Sequence, residues 1–308
     1  MIKRILIIQL RPGLGDLCMF LPRCHEIAEN NSKYEITLLT KKNTKADQLL
    51  INDPYIKNIE FIDKDNHKQN LLELFKFLRK NKFEKVYSYQ YGPKYLKYIF
   101  LSKLCGVKKI FYYGILKKKE DMVRKSILAN EEWLNIKVTQ FNGKIYTVGN
   151  KLKIKKTVVI GLGASGDNKR WPNDYFISLI KKLDKYDIFD FILAAGKSEK
   201  KIINYVSKNL PNISFISLEN LNVKEAVKEI NGSVLFVGND TGFMHVSACL
   251  NIKTFCLYGD TPSNDSVYND NIIPILPPGM KSTYHKDLAM SKITSNYVFD
   301  IIINNLNN

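Results

Sequence analysis

Residues 234–262, VLFVGNDTGFMHVSACLNIKTFCLYGDTP, decide the fold. Val234–Val237 reads as a buried strand, followed by a turn through Gly238, Asn239 and Asp240. A helix starts on the small residues Thr241 and Gly242 and runs to Leu250. A second strand, Thr254–Tyr258, leads into a Gly259-Asp260 turn. A strand entering a helix through Gly and Asp presents unpaired backbone N–H groups and a positive dipole end to an anion. His245 follows Thr241 by four residues and shares its helix face. This is the layout of a nucleotide-phosphate site at the carboxyl edge of a parallel sheet.

The rest of the chain repeats the same rhythm. Short strands are expected at Lys3–Gln9, Ile36–Thr40, Ile59–Ile62, Val86–Tyr89 and Ile110–Tyr113, separated by helices near 17–29, 44–51, 67–80 and 94–104. The rhythm breaks over 136–156, which carries two glycines and ends in lysines, and this stretch reads as a linker. It restarts with strands at 157–162, 189–194, 213–216, 234–238 and 253–257, alternating with helices near 173–184, 198–208, 223–230 and 241–250. Such alternation predicts an α/β protein with parallel sheets covered on both faces. The expected division is into two Rossmann-like domains, 1–148 and 149–308, with a ligand cleft between them.

Composition sets outer limits. The 308 residues are 45% hydrophobic, as in soluble globular proteins, and no stretch approaches the ~20 apolar residues that span a bilayer. The opening MIKRILIIQL is a first strand rather than a signal peptide, because its apolar run is short and RPGLGD follows. Five cysteines (Cys18, Cys24, Cys105, Cys249, Cys256) lack metal-ligand spacing and suit buried thiols in a cytosolic protein. The net charge is +17, unevenly placed: residues 1–150 hold 28 Lys and Arg against 15 Asp and Glu, whereas 151–308 hold 19 against 15. The first half therefore faces something anionic. Only six residues are Arg, the commonest specific base reader, so an anionic membrane surface or phosphorylated lipid fits better than nucleic acid. The stretch Lys94–Lys125, basic and aromatic with only two acids, could lie on a lipid interface or be a solvated helix and strand.

Two glycine-rich loops open the two halves. Arg11-Pro-Gly-Leu-Gly-Asp16 follows the first strand, where Gly13 and Gly15 allow a tight turn and close ligand approach. Spacing alone favours Asp16 as a helix cap over a general base. The second loop, Gly161-Leu-Gly-Ala-Ser-Gly166, has the G-x-G-x-x-G spacing, but Pro172 and Asn173 delay the helix. The next strand, moreover, ends in Leu193-Ala-Ala-Gly196 instead of an acid, which demotes a dinucleotide-dependent oxidoreductase to the last alternative. Lys169 lies in the same loop, beside Trp171 and Pro172 as anchors, and could serve as a compact phosphate-binding cation.

LRPGLGD, KRWPNDYFISLI, AAGKSEK and GNDTGFMHVSACLNIKTFCLYGDTP occur in the order seen in glycosyltransferase family 9, the lipopolysaccharide heptosyltransferases, which this chain resembles over nearly its whole length. The resemblance implies the two-domain GT-B fold. The first half would bind the acceptor and the second half the nucleotide sugar, and the C-terminal helix could pack back on the first domain. It implies transfer of heptose from ADP-heptose to an acidic inner-core acceptor on lipid A, with no metal or other cofactor. The enzyme would be cytoplasmic and peripheral on the inner membrane.

By resemblance, Asp16 is the catalytic base, which reverses the spacing-only reading, and Gly13 and Gly15 in its loop belong to the donor-binding residues. Lys169 neutralises the donor phosphates and Ser165 contacts them. Asp240, Thr241, Gly242, Phe243 and His245 match the donor-site motif, with Phe243 in a usually aliphatic place. By looser alignment, Glu199 resembles the ribose ligand and Leu221 lines the adenine pocket. Ala289 stands where many relatives carry cysteine. For His245 the alternative is a packed helix histidine beside Ala248 and Cys249, and His25, His67 and His285 form no triad or metal pattern. Two further alternatives are the same fold using another nucleotide-activated sugar, and a catalytically silent module binding nucleotide sugars or glycolipid.

Overall fold

A computed structural model describes residues 3–62, 67–90, 92–113, 122–149, 155–263 and 268–306. The chain divides into two compact units, Met1–Tyr146 and Thr147–Asn308. Parts of the expected linker (150–154) and of the basic stretch (114–121) lie outside the described residues.

The first unit is built on β1 (Lys3–Ile8), β2 (Tyr34–Thr40), β3 (Ile56–Phe61), β4 (Lys85–Ser88) and β5 (Lys109–Tyr112), in the order β3-β2-β1-β4-β5. All neighbouring pairs are parallel. β1 lies in the centre, and Ile5, Leu6, Ile7 and Ile8 are buried, which is why this strand is a continuous apolar run instead of an alternating one. Its crossover helices are α1 (Leu14–Glu29), α2 (Ala46–Leu49), α3 (His67–Asn81) and α4 (Leu96–Leu104).

A fifth helix of this unit, α5 (Met122–Leu134), was not anticipated. Its buried face is Ser126, Ile127, Ala129 and Asn130, half of it polar, so no apolar stripe marks it in the sequence. The partner explains the polarity. Asn130 Nδ2 donates to Glu26 Oε2 (2.8 Å) and to the Arg23 carbonyl (3.0 Å) on α1, and Glu26 pairs with Arg23 at 2.6 Å. Tyr89 closes the cluster by donating to Asn130 Oδ1.

The second unit holds β6 (Lys156–Gly161), β7 (Phe189–Ala194), β8 (Phe215–Ser217), β9 (Leu235–Asn239), β10 (Lys253–Leu257) and β11 (Ile272–Ile275), in the order β11-β10-β9-β6-β7-β8, all parallel. β11 is the one strand the sequence reading lacked. Pro274 speaks against a strand interior, and the structure accommodates it because β11 is the sheet edge. The intervening helices are α6 (Asn173–Asp184), α7 (Lys200–Lys208), α8 (Val223–Ile230) and α9 (Gly242–Cys249). The closing helix, α10 (Ser295–Leu306), places Val298 and Ile302 in this unit's own core and bonds to α6 through Ser295 and Ser178.

None of the five cysteines is in a disulfide; Cys18, Cys24, Cys249 and Cys256 are buried and Cys105 is half-buried. Among the described residues no helix is long and apolar enough to cross a membrane.

Candidate functional site

In the second unit the candidate residues gather at the carboxyl ends of β6, β7 and β9. Two glycines of 161–166, Gly161 and Gly163, have packing reasons. A Cβ on Gly161 would meet the Phe236 ring at 2.2 Å, and one on Gly163 would meet the Glu199 carboxylate at 2.6 Å. Helix α6 begins at Asn173, well beyond the glycines, with Pro172 as its N-cap. The dinucleotide fingerprint needs its helix inside the motif, and here it is absent.

The loop between β6 and α6 is pinned from three sides. Asn239, fully buried at the end of β9, accepts the Trp171 backbone N–H at 2.9 Å and donates to the Leu162 carbonyl at 3.1 Å. The buried Trp171 indole donates to the Ile293 carbonyl at 2.6 Å and packs edge-on against Phe176. Glu199 accepts from the backbone N–H groups of Ala164 (2.7 Å) and Gly196 (2.9 Å), and Arg170 approaches it at 3.6 Å. Lys169 is therefore held half-buried on a short 3-10 turn (Asp167–Lys169), while Ser165 beside it is exposed.

Thr241 caps α9 in an extended conformation, yet its hydroxyl makes no cap bond to the helix. Its Oγ1 is buried and has no partner. A buried hydroxyl without a partner costs about 1–3 kcal/mol, so its persistence beside free helix N–H groups marks a place for an acceptor-rich ligand. Gly242 and Phe243 follow as the first helical residues, half-buried. His245 is buried and engaged at both ring nitrogens. Nδ1 hydrogen-bonds with the Tyr268 hydroxyl, and Nε2 lies 3.5 Å from Asp240 Oδ1. Polar partners on two sides thus hold the ring.

Burial pushes the Asp240 carboxyl up, but the His245 hydrogen bond and charge, with Lys169 and His285, outweigh it and hold it below its ordinary value. One ammonium and two imidazoles thus bear on one carboxylate. His285, passed over in the sequence, reaches this neighbourhood through a tied-down segment. The Leu288 N–H donates to Asp260 Oδ1 (3.1 Å), the Thr283 hydroxyl to the Thr261 carbonyl (2.7 Å), and the Ala289 N–H to the Gly259 carbonyl (2.8 Å). No local motif could reveal it. Leu221 lies half-buried just before the N-cap of α8.

In the first unit the turn after β1 corrects the spacing-based reading of Asp16. The N-cap of α1 is Gly13, and Asp16 sits within the first helical turn, with no side-chain cap bond at the helix start. Its carboxylate is held from the loop instead: Arg11 Nε donates to Oδ1 at 2.7 Å. Gly13 adopts φ 106° and ψ 150°, a region essentially reserved for glycine, and a Cβ there would meet Asp16 Oδ2 at 3.3 Å. Gly13→Ala is expected to cost roughly 1–3 kcal/mol of stability through backbone strain. It should also displace the Asp16 carboxylate. A thermal melt and a turnover assay on this variant check both effects; wild-type values in both would remove the role assigned to Gly13.

Among the described residues no cluster of three or more His, Cys, Asp or Glu side chains could hold a metal ion.

Residues 121–278 match the family model for glycosyltransferase family 9 (heptosyltransferase). The chain is 27% identical to lipooligosaccharide heptosyltransferase 2 of Campylobacter jejuni over 275 residues, which cover 82% of this chain and 80% of the relative. Its fold is similar to that of E. coli ADP-heptose lps heptosyltransferase II, with a TM-score of 0.78, 18% identity and 98% of both chains covered. It is also similar to E. coli heptosyltransferase WaaC with ADP, with a TM-score of 0.75, 16% identity, and 98% of this chain and 100% of that one covered. Two parallel sheets with flanking helices, matched over nearly the full length, make this the GT-B fold.

Proposed function

Because the chain belongs to glycosyltransferase family 9, the heptosyltransferases, we propose that it transfers heptose from ADP-heptose to an acidic inner-core lipopolysaccharide acceptor, inverting the anomeric carbon without a metal. The first unit binds the acceptor and the second binds the donor. The observation that carries the donor assignment is the unpartnered, buried Thr241 hydroxyl at the start of α9, in the neighbourhood where Lys169 acts on Asp240. An ADP diphosphate supplies the oxygen atoms that this arrangement lacks.

In the reaction Asp16 takes the proton of the acceptor hydroxyl. The oxygen attacks the anomeric carbon from the face opposite ADP, and the bond to the diphosphate breaks. Charge grows on the leaving diphosphate. Lys169, Ser165 and the backbone N–H groups at Gly242 stabilise it electrostatically, the part a metal ion would otherwise take. Asp240 keeps His245 in place. Glu199 already accepts two backbone N–H groups, but a carboxylate has about four lone-pair sites, so it can still accept the ribose hydroxyls. Leu221 and Phe243 supply apolar contact for adenine and sugar.

A thermal-shift titration against ADP-heptose, ADP, UDP, GDP and NAD, each with and without EDTA, tests this reading. A ligand that binds only the folded state raises the melting temperature. ADP and ADP-heptose are expected to stabilise, equally with EDTA present. Stabilisation by a different nucleotide would keep the fold and replace the donor; no response to any would favour the silent binding module.

The enzyme is further proposed to work on the cytoplasmic face of the inner membrane. Phe100 and Leu104 of α4 are 66% and 63% exposed, beside the exposed Lys103 and Lys108. Apolar side chains flanked by lysines suit an anionic bilayer surface, with each lysine contributing about 1 kcal/mol, or roughly fivefold in binding. Phe100→Ser with Lys103→Glu should weaken co-sedimentation with vesicles containing anionic phospholipid by at least that factor. Unchanged sedimentation would leave these lysines as solvated surface.

A further inference from the structure

The first unit contains a cavity of about 620 Å³ whose lining includes Arg11, Gln90, Lys94, Tyr95, Tyr113 and Lys125. The chemistry of this lining is one-sided. Three side chains are cationic, and among the described residues no carboxylate contributes to the wall. Gln90 is only 5% exposed, and its Nε2 is buried without a partner. The Tyr113 hydroxyl is likewise buried and unpaired. Buried donors left unsatisfied beside cations call for a ligand rich in acceptor oxygens.

Arg11 belongs to this wall and also to the Asp16 loop. It donates Nε to Asp16 Oδ1 at 2.7 Å, and its side chain remains 42% exposed. A guanidinium has five N–H donors in a rigid plane, so four remain after the Asp16 bond. Among the described residues none of these four makes a hydrogen bond. One side chain thus joins a cation-lined cavity to the proposed base.

We propose that the cavity takes the anionic substituent, phosphate or carboxylate, of the acceptor saccharide. We propose further that Arg11 is shared between that anion and Asp16. Seating the anion fixes the guanidinium plane, and the plane fixes the carboxylate against the incoming hydroxyl. Arg11 is a positioning residue in this scheme: it touches the substrate's charged group but not the reacting atoms. The turnover role rests on the reading of Asp16 as base; the cavity's ligand class does not. It predicts that an acceptor of the right shape without its charge is both bound weakly and turned over slowly.

The first arm of the test needs no donor. The full chain is titrated calorimetrically with glucose 6-phosphate, glucuronate and glucose. At least one charged sugar should bind roughly tenfold or more tighter than glucose, the scale of a hydrogen bond to a charged group. Gln90→Leu and Lys94→Ala should each weaken it, and the preference between phosphate and carboxylate identifies the acidic group. Equal binding of all three sugars, or wild-type binding in both variants, overturns the cavity assignment whether or not the transfer chemistry is right.

The second arm compares turnover of the acceptor with turnover of the same acceptor stripped of its acidic group. The wild type should prefer the charged form by roughly 10–100-fold. Arg11→Ala should bring that ratio near one and lower kcat while the donor KM stays unchanged. Arg11→Lys should recover acceptor affinity more than kcat, because an ammonium lacks the fork that grips two carboxylates at once. An Arg11→Ala enzyme that keeps the wild-type preference overturns the sharing of Arg11. If the wild type transfers nothing, the first arm still decides the cavity's ligand.

Discussion

Asp16→Asn is expected to abolish sugar transfer while leaving donor binding intact. The amide is close to isosteric with the carboxylate, and its oxygen can still accept the Arg11 Nε–H, so the loop geometry survives. What disappears is the ability to take a proton from the acceptor hydroxyl. Removing a general base typically costs 10²–10⁴-fold in rate. The stability cost is small in comparison: the Arg11 side chain is 42% exposed, and a solvent-screened pair contributes about 0–1 kcal/mol. The variant should therefore melt near the wild-type temperature and bind ADP with wild-type affinity while turning over at least a hundredfold more slowly. Normal turnover would remove Asp16 from the mechanism, and with it the proposed reaction.

The second large effect is structural in origin and functional in consequence. Trp171→Ala empties a fully buried site and removes the indole bond to Ile293 and the edge-on packing against Phe176. A substitution of this class costs about 3–5 kcal/mol. In a unit of this size that lowers the melting temperature by about 10 °C. The loss is expected to extend to the donor site, because Trp171 follows Lys169 by two residues and its backbone N–H is the group that Asn239 holds. ADP affinity should fall along with stability. Urea unfolding and an ADP titration on the same variant separate the two, since binding is measured where the variant is still folded. A variant that melts lower yet binds ADP as tightly as the wild type would show that the loop does not depend on its anchor.

These two residues also show how unevenly the protein is written in its sequence. The β9–turn–α9 passage was legible because everything in it is local. A buried run, a Gly-Asn-Asp turn and a small-residue helix start each leave a mark within a few residues, and the structure has β9 ending at Asn239 and α9 starting at Gly242. The delayed start of α6 was legible for the same reason, from Pro172. Elements whose partners are remote left weaker marks. The α5 helix hides its period because its buried face meets Arg23 and Glu26, and β11 carries a proline that only an edge tolerates.

At the site the division is sharper. The sequence by itself determined two runs of parallel strand and helix, the loops that end on Asp16, Lys169 and Asp240, and a first half more basic than the second. Strand period, helix caps and glycine turns are set by backbone sterics acting over a few residues, so they can be read in order. Tertiary structure alone decided what those residues touch. Asp16 is an ion-paired carboxylate instead of a cap, Glu199 clamps two backbone N–H groups, and His285 acts on Asp240 from 45 residues away. Hydrogen bonds and charge act over a few ångströms of space, and sequence distance says nothing about that separation until the sheets have brought the loops together.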